Sequence, residues 1–372
     1  MHSIYFFDGC YNKVKAEEKI KIKIILLIPC QQKRKKQKQE KRKRDNFFVK
    51  ESAFFEWPIF WWKKYMKAIQ INKHGNSDVL EMVDIEKPKP GPGQVLIEVH
   101  ASCVNPIDIK IMEGAIPVKF PFTLGSDVSG VVVEIDEGVE NINVGDKVYG
   151  SAIVLAGATG AFAEFTAVPA ALVAPIPKNT SFNEAAAAVL TGASALQALA
   201  EHMNLQAGQR LLIHGGAGGI GTMAIQIAKK LGAYVATTAA EDEVDYAKNL
   251  GTDYVINYNT QSFEDMISGY DAVLDTVGQE TYKKSFQVLK KGGMIVSMIE
   301  KPNEDLMKQY GVTAISQFTK VTTEHLMMLS KYIERGDVRV YIDRVFPLDN
   351  IKEAFLAKEQ GRVKGKIVIQ IK

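Results

Sequence analysis

Three glycines at the spacing GxGxxG, Gly216, Gly218 and Gly221, lie in the stretch HGGAGGIG and have the makings of a phosphate cradle. A diphosphate needs N–H donors, and bare backbone supplies them where no Cβ stands in the way. In this spacing the first glycine permits a tight turn, the second lets the diphosphate approach, and the third lets helix and strand pack closely. Gly219 and Ile220 carry the chain into a helix whose free N–H groups face the phosphates. The pattern means little without its setting, and residues 210–238 provide that setting. Leu211-Leu212-Ile213 suits a strand buried on both faces. Met223, Ile225, Ile227, Ala228 and Leu231 recur at helical spacing, with Gly232 as the stop, and residues 234–238 read as a second strand. The unit is βαβ, and it implies a dinucleotide site.

The elements that must position this cradle follow from the surrounding pattern. Short strands at 66–71, 79–85, 94–102 and 131–135, and a turn with a strand at 144–150, are broken by glycine and proline, as in KPKPGPG at 87–93. They predict a compact, partly closed β-barrel. Helical sequence follows at 184–190 and 194–203, with Ser181 or Asn183 as N-cap. Strands at 254–256, 272–275 and 294–298 alternate with helical or turn sequence, the signature of a doubly wound parallel sheet. Helices at 324–335 and 350–358 precede a closing strand at 365–371, so the tail is expected to return to the barrel. The expected fold class is α/β, with a barrel over 66–189 and 317–372 and a Rossmann sheet over 190–316.

The chain has 372 residues, enough for two domains, and its 46% hydrophobic and 24% charged residues are ordinary for a globular protein. Its net charge of +3 hides an asymmetry. Residues 1–65 hold 17 Lys/Arg against 7 Asp/Glu, while the remainder holds 29 against 36. The body is mildly acidic and has no nucleic-acid footprint. The leader carries the basic run KRKKQKQEKRKR and all three tryptophans; its apolar run at 24–28 is too short to span a bilayer. It reads either as a basic arm for acidic partners or as sequence upstream of a start at Met66, and is expected to lack a packed core. Cys103 is the single cysteine of the body, which suits a reducing, cytoplasmic compartment.

From Met66 onward the chain resembles the zinc-independent medium-chain dehydrogenases/reductases of the quinone-oxidoreductase type. The motifs NPIDIK, LGSDVSGVV, VGDKVYG, LTGASALQAL, HGGAGGIG, LDTVG and GRVKGKIV occur in the family's order. The resemblance implies a GroES-like barrel beside a Rossmann domain, with the active site in the cleft between them, and a homodimer. It also implies that no metal is bound. Asn105 stands where the zinc-dependent members have a catalytic cysteine, Ser126-Asp127 stands in place of Gly-His-Glu, and no cysteine cluster exists to build a tetrahedral site.

Without a Lewis acid, hydride addition to an electron-poor alkene or quinone is easier than alcohol oxidation. The oxygen that gains charge then needs positive charge or donors. Lys110 is the candidate for that role, at a position where related quinone reductases carry tyrosine, with Asn105 as a second donor. Asp108 either orients Lys110 or serves a structural bond; Tyr149 either faces the cleft or packs. For the cofactor, Thr238 at the end of the second Rossmann strand lacks the carboxylate that selects NAD. Tyr258 matches a tyrosine that lies against the 2′-phosphate in relatives. Both favour NADPH, whereas Glu241, Asp242 and Glu243 would repel a phosphate unless turned to solvent, which keeps NADH open. Thr191, Val277, Gly293 and Met294 are further expected cofactor contacts. Gln317-Phe318, Arg362, Lys364 and Lys366 are expected to border the nicotinamide and substrate, the last three reading equally as a solvated basic loop, and His214 is expected to pack. The expected substrate is a small electrophile, with enoyl-thioester reduction or non-catalytic NADPH binding as the alternatives.

Overall fold

The structure, a computed structural model, describes residues 64–372; the expectations for the leader lie outside the described residues, apart from Lys64 and Tyr65. Two sheets make up the barrel region. The smaller joins β1 (Tyr65–Ile71), β2 (Glu81–Glu86) and β4 (Phe122–Thr123) in the order β2-β1-β4. The larger contains β3 (Gln94–Cys103), β5 (Asp127–Ile135), β6 (Lys147–Ser151), β7 (Phe165–Pro169) and β8 (Val173–Pro175), with the closing strands β15 (Ile342–Pro347) and β16 (Lys366–Gln370) at its other edge. Its order is β15-β16-β3-β5-β6-β8, with β7 also on β3. The segment after Gly160 stitches the two sheets together, through Ile69 N–H to the Phe162 carbonyl at 2.7 Å and an Ala68–Ala163 bridge. This stitch is what makes the barrel partly closed.

Strand β5 begins four residues earlier than the sequence suggests, because Gly130 does not break it. A Cβ at Gly130 would stand 2.0 Å from the Glu98 carbonyl, so the glycine marks the close approach of β3. Between β3 and β4 lies a helix the sequence reading passed over, α1 (Pro106–Glu113). Its start is encoded by Pro106 at the first helical position and by Asp108, which accepts the Asn105 N–H at 2.9 Å.

The long helix α2 (Phe182–Leu196) leads from barrel to nucleotide-binding sheet. Ser181 rather than Asn183 caps it: its hydroxyl accepts the Glu184 N–H, and Glu184 returns the bond to the Ser181 N–H at 2.8 Å. The alanines of α2 are buried, which lets its backbone lie close to both domains. The two expected helical segments join because the α-helix runs unbroken through residues 191–193, and a π-type turn, Gln197–His202, extends it. Six parallel strands follow: β9 (Arg210–His214), β10 (Tyr234–Ala239), β11 (Tyr254–Asn257), β12 (Tyr270–Asp275), β13 (Leu289–Ser297) and β14 (Thr313–Ser316), in the order β11-β10-β9-β12-β13-β14. The helix α3 (Gly219–Lys230) joins β9 to β10. The order reverses beside β9, the place where doubly wound sheets open a crevice at their carboxyl ends. The chain then returns through α4 (Thr323–Glu334) and α5 (Ile351–Glu359) to β15 and β16. Tyr149 packs at this return: it is buried, and its hydroxyl donates to the Leu326 carbonyl at 2.6 Å.

Candidate active site

The cradle has the geometry its glycines allow. A Cβ at Gly216 would meet the Thr237 hydroxyl at 2.1 Å, and one at Gly221 would meet the Gly215 carbonyl at 2.2 Å. The first position is thus the tight turn and the last the helix–strand contact. At Gly218 the nearest atom lies at 3.3 Å, which leaves the backbone open on the ligand side. His214 packs beneath, as expected; it is fully buried and bonded to the Thr238 and Ser285 hydroxyls at 3.2 and 2.9 Å. Burial pushes its pKa down to about 3, so the ring is neutral.

The cradle touches a second structure directly. The Gly365 N–H donates to the Ala217 carbonyl at 2.9 Å, and Gly218 and Gly365 form a parallel bridge. A Cβ at Gly219 would lie 2.9 Å from the Thr191 methyl and 3.1 Å from Lys366 Cδ. Beyond that stem lies a buried polar cluster drawn from four segments. Lys366 Nζ donates to Asn105 Oδ1 and lies 3.5 Å from Asp127 Oδ2. Asn105 Nδ2 donates to Asp127 Oδ2 at 2.7 Å and to Ser126 Oγ at 2.9 Å. Ser126 Oγ donates to Asp108 Oδ2 at 3.3 Å, and Asp127 Oδ1 accepts the Leu190 N–H of α2 at 3.2 Å. Burial raises both carboxyl pKa values, that of Asp108 to about 7. For Asp127 the Lys366 charge and the Asn105 amide work against burial. Cys103 is buried nearby, and desolvation pushes its thiol far up, so it stays protonated.

This geometry corrects several expectations. Both Asn105 amide hydrogens are spent inside the cluster, so Asn105 has none for a substrate oxygen. Asp108 does not orient Lys110: residues two apart on a helix do not face each other, and Asp108 turns inward to the Asn105 and Gly125 N–H groups. Lys110 is exposed on α1. Gly293 and Met294 are far from the crevice. Met294 pairs with Ala272, which pairs with Leu211, and this level lies near the amino end of the sheet. The carboxyl end of β13 is Ser297, followed by Met298 and Ile299, and this is the edge a ligand reaches. The Thr238 hydroxyl is buried against His214 and the Gly215 N–H at 3.3 Å, so the residue lines the crevice without a free polar group. Thr191 is also buried, its hydroxyl donating to the Ala187 carbonyl at 2.9 Å.

The remaining expected contacts gather at the carboxyl edge. Val277 and Phe318 are exposed after β12 and β14, with Ile299 exposed between them, forming an apolar rim. Gln317 ties this rim down, donating to the Ser194 carbonyl at 3.0 Å. Tyr258 is exposed after β11, within electrostatic reach of Arg362, Glu243 and Asp242. The acidic trio is partly committed elsewhere. Glu243 accepts the Ala240 N–H at 3.0 Å, and Asp242 is met by Lys364, 2.8 Å from its carbonyl and 3.7 Å from its carboxylate.

Comparison with known proteins places this architecture. Residues 91–178 match the alcohol dehydrogenase GroES-like domain, and residues 250–369 match the zinc-binding dehydrogenase family. The chain is 36% identical over 319 residues to the 2-methylene-furan-3-one reductase of Solanum lycopersicum, covering 82% of this chain and 79% of that protein. It belongs to the medium-chain dehydrogenases/reductases, in the quinone-oxidoreductase group. It is also 34% identical to the NADPH-dependent alkenal/one oxidoreductase of Arabidopsis thaliana, covering 82% and 80% of the two chains. The quinone oxidoreductase of Coxiella burnetii superposes with a TM-score of 0.77 at 35% identity, covering 83% of this chain and all of that one. The Escherichia coli quinone oxidoreductase complexed with NADPH gives 0.76 at 25% identity, covering 82% and all of the two chains.

Within this dehydrogenase group a metal would need cysteine, histidine or carboxylate donors. Among the described residues no group of three or more such side chains is arranged to hold one. The corresponding place offers an amide, a hydroxyl, an ammonium and two carboxyl groups, Asp127 paired with the ammonium and Asp108 turned to the Asn105 and Gly125 N–H groups, and this set does not fit zinc. The sequence marks Ser126 and Asp127 only as departures from a metal motif, and it points Lys366 to the nicotinamide and substrate or to a solvated loop, not to a buried cluster. The available signal was a lysine directly after Gly365 and before the apolar buried run Ile367-Val368-Ile369. Among the described residues no helix is long and apolar enough to cross a membrane.

Proposed function

We propose that the protein reduces quinones and α,β-unsaturated carbonyls with NADPH. The observation that carries this reading is the contact of the glycine cradle with the barrel's buried cluster, through Gly365 to Ala217 and Lys366 beside Gly219. It brings the seat of a dinucleotide and the floor of a substrate cleft to one place. Bound NADPH supplies the hydride. Gly216, Gly218, Gly219, Ile220 and Gly221 hold its diphosphate, and Thr191, Val277 and Phe318 border its nicotinamide end. Tyr258, Arg362 and Lys364 meet the 2′-phosphate; Lys364 offsets part of the charge of Asp242, and Glu243 is committed to the Ala240 N–H. Lys110 places an ammonium beside the oxygen that gains charge as the β-carbon accepts hydride, where positive charge lowers the barrier most.

This reading takes residues 66–189 and 317–372 as the catalytic domain and 190–316 as the nucleotide-binding domain. A homodimer is supported by the resemblance, and a reducing, cytoplasmic setting by Cys103, which among the described residues is the single cysteine and is buried. The test is cofactor oxidation by the full chain with NADPH or NADH, offered a small quinone and a 2-alkenal. NADPH-dependent turnover with either substrate is expected. NADH preference would mean that Glu241 or its neighbours read the ribose. Tight NADPH binding without turnover would overturn the enzymatic reading.

A further inference from the structure

The family's best-known members organise their cleft around a metal cation, and in this chain the corresponding place holds a cation of its own. We propose that the Lys366 ammonium is the resident cation of the cleft, a positioning residue that holds Asn105 and Asp127 in register and ties them to the glycine cradle.

Three observations carry this. First, the ammonium is buried, with its side chain 6% exposed, and is directed at Asn105 Oδ1 and Asp127 Oδ2. A buried carboxylate needs a paired charge, and Lys366 is the cation within reach of Asp127. Second, accepting from Lys366 fixes which way the Asn105 amide faces: Oδ1 takes the ammonium, so Nδ2 must point to Ser126 and Asp127. One cation thereby sets the orientation of side chains from the start of α1 and the start of β5. Asp127 extends the chain of bonds to the Leu190 N–H of α2, next to Thr191. Third, the residue before Lys366 is bonded to Ala217 in the cradle, and the lysine stem lies against Gly219. The strand β16 therefore holds the cradle with its backbone and the cleft floor with its first side chain. The donor set argues the same way: a divalent ion bound at Asp127 would have to displace the ammonium or lie beside it at strong repulsion.

The inference rests on the reductase reading for its kinetic arm only. The test uses the full chain as wild type, K366M, K366R and the double variant D127N/K366M. Zinc content is measured by plasma mass spectrometry, folding by thermal unfolding, NADPH affinity by fluorescence, and hydride transfer by single turnover with protiated and deuterated NADPH. Wild type is expected to carry far less than one zinc per chain and to keep its melting temperature and NADPH affinity in a chelator. K366M is expected to melt lower, since it strands Asp127. The double variant removes both charges and is expected to regain most of that stability while hydride transfer stays down by roughly tenfold or more with an undiminished isotope effect. K366R, which keeps the charge, should retain more of the rate than K366M.

Near-stoichiometric zinc in the wild type would overturn the proposal. So would a double variant that recovers rate and stability together, because the pair would then be structural only. If the wild type reduces none of the offered substrates, the reductase reading fails by itself. Zinc content, melting temperature and NADPH affinity would still decide whether Lys366 is the resident cation.

Discussion

The two sides of the cleft are built by opposite means. The glycine cradle is made of backbone from one contiguous stretch, and its chemistry lies in side chains that are missing. The cluster on the barrel side is made of side chains at Asn105, Asp108, Ser126, Asp127 and Lys366, drawn from three separate segments. A backbone site tolerates change around it but none at its glycines. A side-chain site can lose one member and survive only if the charges left behind are still paired.

The largest effect is expected where backbone fills the space. Gly221→Val would drive a side chain into the Gly215 carbonyl, 2.2 Å from where its Cβ must sit. NADPH binding should be abolished, and the yield of folded protein should fall; calorimetric titration and circular dichroism check this. On the barrel side, Asp127→Ala leaves Lys366 buried without its counter-charge, and chemical denaturation should show a loss of about 3–5 kcal/mol. A loss near zero would mean the cluster is wetter than its burial indicates, and the contrast between the two sites would weaken.

Asp108 sharpens the comparison through pH. Burial raises its carboxyl from 3.8 to about 7, so the folded protein holds this proton more tightly than the unfolded chain. Its contribution is complete below about pH 4 and is lost as pH climbs through 7, by up to roughly 4 kcal/mol. The wild type should lose stability relative to Asp108→Asn as pH rises across that window. The difference between the two is the readout, because buried His214, its pKa pushed down to about 3, gains stability with rising pH over part of the same range. The cradle contains no titrating group, so NADPH binding by Asp108→Asn should track the wild type over the same range. Lys110→Met should lower kcat about tenfold with little change in KM if its ammonium acts only as charge develops. The smallest change belongs to Lys364→Ala. Its pair with Asp242 is partly exposed, so the KM for NADPH should rise only a few-fold with no measurable change in stability.

Much of the fold was legible in the sequence because the signals were local. The βαβ unit around Gly216 and the start of the long helix near Ser181 each depend on residues near one another in the chain. Two readings went astray where a local pattern ends and a distant neighbour takes over. Gly130 stands just before the expected strand and is instead inside it, where the paired strand β3 comes too close for a Cβ. Met294 opens the expected strand and Gly293 precedes it, so both lie below the carboxyl edge, because strand register decides which residues reach that edge.

The sequence by itself determined the cradle: GxGxxG between a buried strand and a helix leaves little freedom, since glycine spacing alone dictates where N–H groups converge. It also determined that residues 105 and 126–127 depart from a cysteine- and histidine-rich donor pattern. Only the tertiary structure decided what stands there instead. Asn105 and Lys366 are 261 positions apart, and no periodicity or motif links them. Their meeting follows from β16 pairing with β3 while Gly365 holds the cradle. Burial then makes the meeting consequential, because out of water a carboxylate, an amide and an ammonium can satisfy one another in very few ways.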